Sequence, residues 1–326
     1  MNTTDLEVPS TSADIAPETP YPHPDTDRFL VLVNPKASGG QPEALLRRLG
    51  GAFAARSVPF DIVEPGDAEE AYRIVRAAAD RQYRAVAAVG GDGTVGIALK
   101  GTAGSGVPVA IIPFGTGNQL ALNLDIPTSL EDSVRVAVEG EVKEVDLCRA
   151  NGEQFALIAG AGLDADVMAS ATAELKSRLG FAAYLYSGIK NIITPPSADF
   201  RIVADDQEVL VRASMVLLAN AGQLGAGPLP MELTVAPDSS FSDGLIDVAI
   251  FAPRNLPEVA RILWRVARKQ FGGDDQMIFL QAKKVTIESD PPVAIQIDGE
   301  PRGMTPIEAE IDENRGRILV PAWRAP

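Results

Sequence analysis

Residues 85–94 read AVAAVGGDGT and residues 109–118 read VAIIPFGTGN, and these two stretches decide the fold. Each is a short apolar run that ends in a glycine turn. A run without polar alternation marks a strand buried on both faces, which is the habit of parallel sheets covered by helices. The helical patterns that follow, through Leu99 in one case and from Gln119 in the other, supply the covering. Upstream the same order appears at Phe29 to Val33, then Asn34-Pro35-Lys36-Ala37-Ser38-Gly39-Gly40, then a helix from Pro42 to Leu49. Phe60 to Val63 and Ala68 to Ala79 add a further strand and helix. The pattern predicts an α/β domain over 28–144, a parallel sheet with helices on both faces.

Past Glu144 the pattern changes to β-rich segments: Val145 to Ala150, Gln154 to Ala159, Phe200 to Ala204, Val209 to Ala219, Glu232 to Ala236, Gly244 to Phe251, Val285 to Glu288 and Val293 to Ile297. Turn pairs such as Asn151-Gly152 and Asp243-Gly244 separate them, so an antiparallel domain is expected over 145–305. Two helical inserts interrupt it, at about Asp166 to Ile193 and Leu256 to Phe271. On the second, at about 100° per residue, Leu256, Val259, Leu263, Val266 and Ala267 share one face and Arg261, Arg265, Arg268 and Lys269 the other.

A chain of 326 residues suits two domains better than one. Its 29 Lys and Arg against 44 Asp and Glu, a net charge of −15, argue against nucleic acid as a partner. A single Cys148 and a single His23 exclude an intrachain disulfide, a Cys/His zinc cage and a Ser-His-Asp triad. Residues 1–27, rich in Pro, Thr, Ser and acidic residues, read as a disordered tail. With no signal-peptide start and no long apolar window, the expected location is cytoplasmic.

In a parallel α/β sheet, ligands sit at the carboxyl ends of the strands, where all three glycine loops fall, each opening a helix whose free amides favour an anion. Gly90, Gly91, Gly93, Gly115 and Gly117 let backbone approach oxygen atoms closely. Ser38, Thr94 and Thr116 add hydroxyl donors. Neither the P-loop nor the dinucleotide fingerprint is present, so this is another kind of phosphate cradle.

The pair Gly90-Gly91-Asp92-Gly93-Thr94 and Pro113-Phe114-Gly115-Thr116-Gly117-Asn118 resembles the diacylglycerol kinase catalytic domain shared by diacylglycerol, sphingosine and ceramide kinases. The resemblance continues through Asn34-Pro35 with Ser38-Gly39, Gly162-Leu163-Asp164-Ala165-Asp166-Val167, Asp243-Gly244-Leu245-Ile246-Asp247-Val248 and Asp298-Gly299-Glu300. It is greatest to the bacterial soluble lipid kinases.

That likeness implies a sandwich-like second domain and an interdomain cleft in which ATP, Mg²⁺ and a lipid hydroxyl meet. It also implies that 306–326, through a strand at Arg317 to Pro321, returns to complete the first domain. Asp92 would then join the Mg²⁺-phosphate network, with Asn34, Gly91, Thr94, Thr116 and Asn118 on the nucleotide. Asp298 and Glu300 would activate the acceptor, a task for which a carboxylate is the natural base with the one His in the tail. Lys36 reads either as a phosphate ligand or as a solvated loop lysine. Asp146 reads either as an acidic member of the active-site network or as a strand-entry residue. Asp164 and Asp166 match a region where sphingosine kinases meet the sphingoid amine, and equally suit helix capping. Asp243 and Leu245 match a turn that holds a structural metal in some members, and turn chemistry alone also explains them.

Two positions depart from the resemblance. Gln119 stands where diacylglycerol kinases carry Asp, and Leu122 where the bacterial soluble ones carry Arg. The expected activity is an ATP- and Mg²⁺-dependent kinase of a lipid hydroxyl, diacylglycerol-like or sphingoid-like. The alternatives are a kinase of a soluble hydroxyl compound, resembling NAD kinases, and a nucleotide-binding regulatory protein without transfer. Arg261, Arg265, Arg268 and Lys269 beside Trp264 and Phe271 suit transient peripheral membrane contact, or pairing with acidic neighbours on this chain or in a homodimer.

Overall fold

A computed structural model of the chain describes residues 27–35, 42–162, 197–225, 232–234, 236 and 239–322. β1 (Phe29–Val33), β2 (Phe60–Val63), β3 (Ala85–Gly90) and β4 (Val109–Pro113) pair in parallel in the order β2-β1-β3-β4. β1, β3 and β4 are buried along their whole length, as their unbroken apolar sequences require. Helices α1 (Pro42–Ala54) and α5 (Leu130–Glu139) cover one face, with Leu49, Phe53 and Val134 against Phe29, Val31 and Val33. α2 (Ala68–Asp80) and α3 (Asp92–Thr102) cover the other, with Val75, Ala98 and Leu99 against Leu30, Leu32 and Val86.

The caps of these helices differ in a way that matters for the site. Asp67 accepts from the Glu70 amide at the start of α2, and Ser129 from the Asp132 amide at the start of α5. α3 has Gly91 at its N-cap and no side-chain cap; the Thr94 amide donates to the Gly91 carbonyl at 3.0 Å, and the helix start faces the glycine turns.

The second domain is a sandwich of two six-stranded antiparallel sheets. One runs β10 (Gln207–Ala213), β9 (Ala198–Ala204), β16 (Lys284–Asp290), β19 (Ile307–Ile311), β6 (Cys148–Ala150), β7 (Glu153–Phe155). The other runs β15 (Met277–Ala282), β14 (Ile246–Phe251), β11 (Met215–Ala219), β8 (Ile158–Ala161), β17 (Ala294–Ile297), β18 (Glu300–Met304). Phe155, Phe200, Ile202, Leu218, Val248, Ile250 and Ile287 fill the space between them. The outer face of the second sheet, through Leu217, Ala249 and Phe251, joins the apolar cluster that begins under α2 and α3, so the two domains share a core.

Among the described residues the chain passes between domains twice, and the two crossings lie side by side. β5 (Glu141–Val145) leads out of the first sheet, where it is antiparallel to β20 (Gly316–Val320), and β20 is inserted parallel to β4. The return is therefore shorter than the 306–326 expected: β19 stays in the sandwich, paired with β16 and β6, and β20 alone joins the first sheet. Ile307 and Ala309, alternating with exposed Glu308, have the pattern of a sandwich strand.

Two runs expected to be single strands are split because the chain changes sheet inside them. Val209 to Ala219 breaks at Ser214, whose amide donates to the Phe251 carbonyl at 2.9 Å as the chain moves from β10 to β11. Gln154 to Ala159 breaks at Ala156 and Leu157, between β7 and β8. A short ribbon pairs β12 (Gln223–Gly225) with β13 (Glu232–Thr234). α6 (Leu256–Ala267) stops short of Phe271 and buries Ile262 and Val266, while Leu256 and Ala267, grouped with Val266 by the sequence pattern, are exposed. The expected insert at 166–193 and the tail lie outside the described residues.

Candidate functional site

Gly90 ends β3 directly opposite Pro113 at the end of β4, so the two glycine turns leave the same edge of the sheet as neighbours. Their backbones touch: a Cβ on Gly91 would lie 3.1 Å from the Gly115 Cα, and one on Gly115 would collide with Gly91. Only glycine permits that approach. Asn118, in left-handed conformation at φ 47°, fastens the second turn: its Oδ1 accepts from the Gly115 amide at 2.9 Å, and its Nδ2 donates to the Gly115 carbonyl at 2.8 Å. Its side chain is thus engaged in shaping the turn. Gln119, at the first departure, is buried and donates to the Gly117 carbonyl at 3.1 Å.

Asp92 joins the turns. It opens α3, and its Oδ1 accepts from the Leu120 amide at 3.0 Å, at the start of α4 (Gln119–Asn123). Its Oδ2 stands 3.2 Å from where a Gly117 Cβ would be. Burial pushes this carboxyl above its ordinary value, and the surrounding backbone amides, Gln119 and Leu120 first, pull it back. Asn34, beyond the end of β1, donates from Nδ2 to the buried Thr94 Oγ1 at 3.2 Å, which ties the first loop to the second. Gly93 and Thr116 lie exposed at the rim. Lys36 and Ser38 lie outside the described residues.

These residues fit a nucleotide's phosphates with Mg²⁺. The uncapped start of α3 offers amides to an anion, and Asp92, a carboxylate whose burial disfavours its charge, suits a cation beside it. A magnesium ion shared with phosphate needs only one or two protein carboxylates.

The two expected acceptor-side carboxylates separate. Asp298 and Gly299, with φ 47° and 84°, form the two-residue turn between β17 and β18, and Glu300 pairs with Ile297 across it. The Asp298 carboxylate points back to the break between β7 and β8: Oδ2 accepts from Ala156 at 3.1 Å, and Oδ1 from Leu157 at 3.0 Å and Ile158 at 3.1 Å. It satisfies the amides orphaned where the chain changes sheet. Burial raises this carboxyl, against the pull of those three amides and of Lys100. Glu300 is exposed, with no side-chain bond to a backbone amide among the described residues.

Beside this turn lies a cluster that sequence reading missed. Lys100 of α3 reaches Glu153 at 3.5 Å across the domains, and Arg302 of β18, within the sandwich, holds the same carboxylate at 2.9 Å. Arg302 keeps the Glu153 carboxyl below its ordinary value. Partners so far apart in sequence leave no periodic signal.

Asp146, 1% exposed, lies at the domain crossing. Its Oδ1 pairs with Arg315 at 2.7 Å and its Oδ2 accepts from the Gly244 amide at 2.7 Å, which clamps the two crossings and the Asp-Gly turn together. Asp243 accepts from the Leu245 amide at 3.0 Å, an ordinary turn bond. Among the described residues no three His, Cys, Asp or Glu side chains gather as a metal site. Asp164 and Asp166 lie outside the described residues. Arg261 and Arg265 both reach Asp274, at 3.3 and 3.5 Å, so part of the basic face of α6 pairs within the chain.

Comparison with known proteins agrees with this architecture domain by domain. Residues 28–150 match the diacylglycerol kinase catalytic domain, and residues 158–320 match the YegS C-terminal NAD kinase beta sandwich-like domain. A protein of Alcanivorax borkumensis named "Probable lipid kinase YegS-like" is 30% identical over 79% of this chain and 85% of its own length. The diacylglycerol kinase of Bacillus subtilis is 29% identical over 74% of this chain and 78% of its own. An uncharacterized protein of Synechocystis is 30% identical over 72% of this chain, a stretch that spans 54% of that protein. A crystal structure of a diacylglycerol kinase from Bacillus anthracis superposes with a TM-score of 0.74 at 25% identity, covering 91% of this chain and 97% of the other.

Proposed function

The chain belongs to the diacylglycerol kinase catalytic domain family, in its bacterial YegS-like lipid kinase branch, and from that premise we propose that it transfers the γ-phosphoryl group of ATP to a lipid hydroxyl. The observation that carries the proposal is the contact of Gly91 with Gly115, with the Asp92 carboxylate set between the two turns. The uncapped amides of α3 receive phosphate oxygens, with the Thr94 hydroxyl beside them. Asp92 would hold Mg²⁺ beside the phosphates. When bound, Mg²⁺ supplies neutralisation of the charge that develops on the transferring phosphoryl group.

The acceptor hydroxyl oxygen forms the new bond to the γ-phosphorus, the bond to the β,γ-bridging oxygen breaks, and ADP departs. The hydroxyl proton passes to Glu300, the carboxylate of its turn that is free of backbone amides. Asp298 positions the turn that carries Glu300. The acceptor is a diacylglycerol first and a sphingoid base second.

The test is incubation of the full chain with γ-labelled ATP, Mg²⁺ and mixed micelles of diacylglycerol, ceramide and sphingoid bases, with NAD and sugars in the aqueous phase. Label in the organic phase supports the proposal. Label confined to an aqueous acceptor makes the chain a kinase of a soluble compound, and nucleotide binding without transfer makes it a regulatory protein.

A further inference from the structure

α6 has three faces rather than two. At about 100° per residue, Ile262, Val266, Val259 and Leu263 occupy the arc turned to the core, with the first two buried and the others half-buried. Leu256, Ala267, Ala260, Trp264 and Pro257 follow one another around a second arc of about 100°, and all five are exposed, Leu256 at 46% and Trp264 at 60%. Arg268, Arg261, Arg265 and the half-buried Glu258 occupy the third arc. An apolar stripe bordered by arginines, on a helix already anchored by its opposite side, is the arrangement of a helix that lies in a bilayer interface.

The charges favour the same partner. Arg268 lies over the Trp264 ring at 4.4 Å, at the border of the apolar and cationic arcs. Asp274, which pairs with Arg261 and Arg265, has a side chain only 5% exposed, and of the two arginines Arg261 is half-exposed while Arg265 is largely covered. Lys269 extends the positive edge just past the helix. On a chain of net charge −15, this local positive edge singles out an anionic surface. The position suits delivery of a lipid: α6 contacts β13, β13 pairs with β12, and β12 contacts α4, whose first amides Asp92 holds.

We infer that the exposed Leu256-Ala260-Trp264 face of α6, with its arginine border, docks the protein on a membrane bearing anionic lipid. The inference rests on the lipid-kinase reading for its purpose, and its test does not, because vesicle binding needs no ATP. The full chain carries two tryptophans, so a Trp323→Phe background isolates the emission of Trp264. Sedimentation and fluorescence with vesicles of phosphatidylcholine, with and without phosphatidylglycerol, are the measurements. The expected result is partition to the anionic vesicles with a blue shift of Trp264. Arg268→Gln should weaken partition about fivefold. In a separate variant, Trp264→Ala should weaken it about tenfold. Transfer to a short-chain, monomeric acceptor should stay within about twofold of wild type in both variants, since neither residue touches the glycine turns.

Absence of partition, partition without a Trp264 shift, or a shift that follows protein concentration without vesicles would overturn the inference, the last in favour of self-association. Wild-type binding to vesicles without transfer to any acceptor would leave the docking surface standing and remove the kinase reading instead.

Discussion

Asp92 and Asp298 are two aspartates in two glycine turns, both raised by burial and both gripped by backbone amides, and they are put to different uses. Asp298 gives its two oxygens to three amides where the chain leaves one sheet for another. Asp92 is held by backbone amides at the start of α4, Leu120 at 3.0 Å among them, and lies beside Gly117 where α3 begins without a side-chain cap. On the proposed reading the same side chain is a structural pin in one turn and a ligand for Mg²⁺ in the other. What separates them is where the amides that hold them lie: those of Asp92 at the second glycine turn and the start of α4, those of Asp298 at a change of sheet inside the sandwich.

Substitution of Asp92 should have the greatest consequence. Asp92→Asn keeps the Leu120 bond and removes the charge, so transfer from ATP should fall about a thousandfold with an unchanged circular dichroism spectrum. Activity near that of wild type would remove Asp92 from the transfer step. Glu300→Gln, in the same turn as Asp298, should cost about a hundredfold in turnover, the scale of general-base catalysis, and leave the melting temperature within a degree or so of wild type.

Gly115→Ala sharpens the comparison from the backbone, because the new methyl meets the Gly91 Cα. Urea unfolding should register a loss of about 1–3 kcal/mol, with a smaller loss for Gly91→Ala, whose methyl meets Gly115 at 3.1 Å. Equal stability of all three proteins would mean the turns are looser than described.

The smallest effect is a pH dependence whose sign follows from burial. A carboxyl raised in the folded state favours folding while protonated, and that contribution is lost as pH rises through the raised value. Asp92→Asn should therefore melt above wild type near neutral pH, with the gap closing as pH falls toward the ordinary carboxylate range. A variant that melts below wild type at neutral pH would reverse the sign.

The α/β half was legible because burial on both faces writes itself as unbroken apolar runs: Ala85 to Val89 and Val109 to Ile112 have no other comfortable home. The sandwich was legible as a class and less so in detail. Val209 to Ala219 and Gln154 to Ala159 each read as one strand, since a change of sheet at Ser214 or Ala156 leaves the apolar alternation nearly undisturbed. The glycine turns were visible as motifs, while their contact, Gly91 on Gly115, is a tertiary fact. The tight turn at Asp298-Gly299 was readable in outline, yet the destination of the carboxylate was not, because its amide partners lie about 140 residues upstream. Asp146 shows the same limit: its partner Arg315 is 169 residues away. On α6 the periodicity located an amphipathic helix and grouped the exposed Leu256 and Ala267 with the buried Val266, because a helix wheel shows which residues are neighbours and leaves open which arc meets the core.

The most direct test sets Asp92→Asn beside Asp298→Asn in one assay of phosphoryl transfer, with rates expressed per folded molecule from parallel unfolding curves. Asn at 298 keeps one acceptor and turns an amide donor toward the backbone donors, so it should lose about 1–3 kcal/mol of stability. Its turnover per folded molecule should stay at least about a hundredfold above that of Asp92→Asn. Equal turnover losses in the two variants, or a stable Asp298→Asn with the greater loss, would contradict the division of roles on which the account rests.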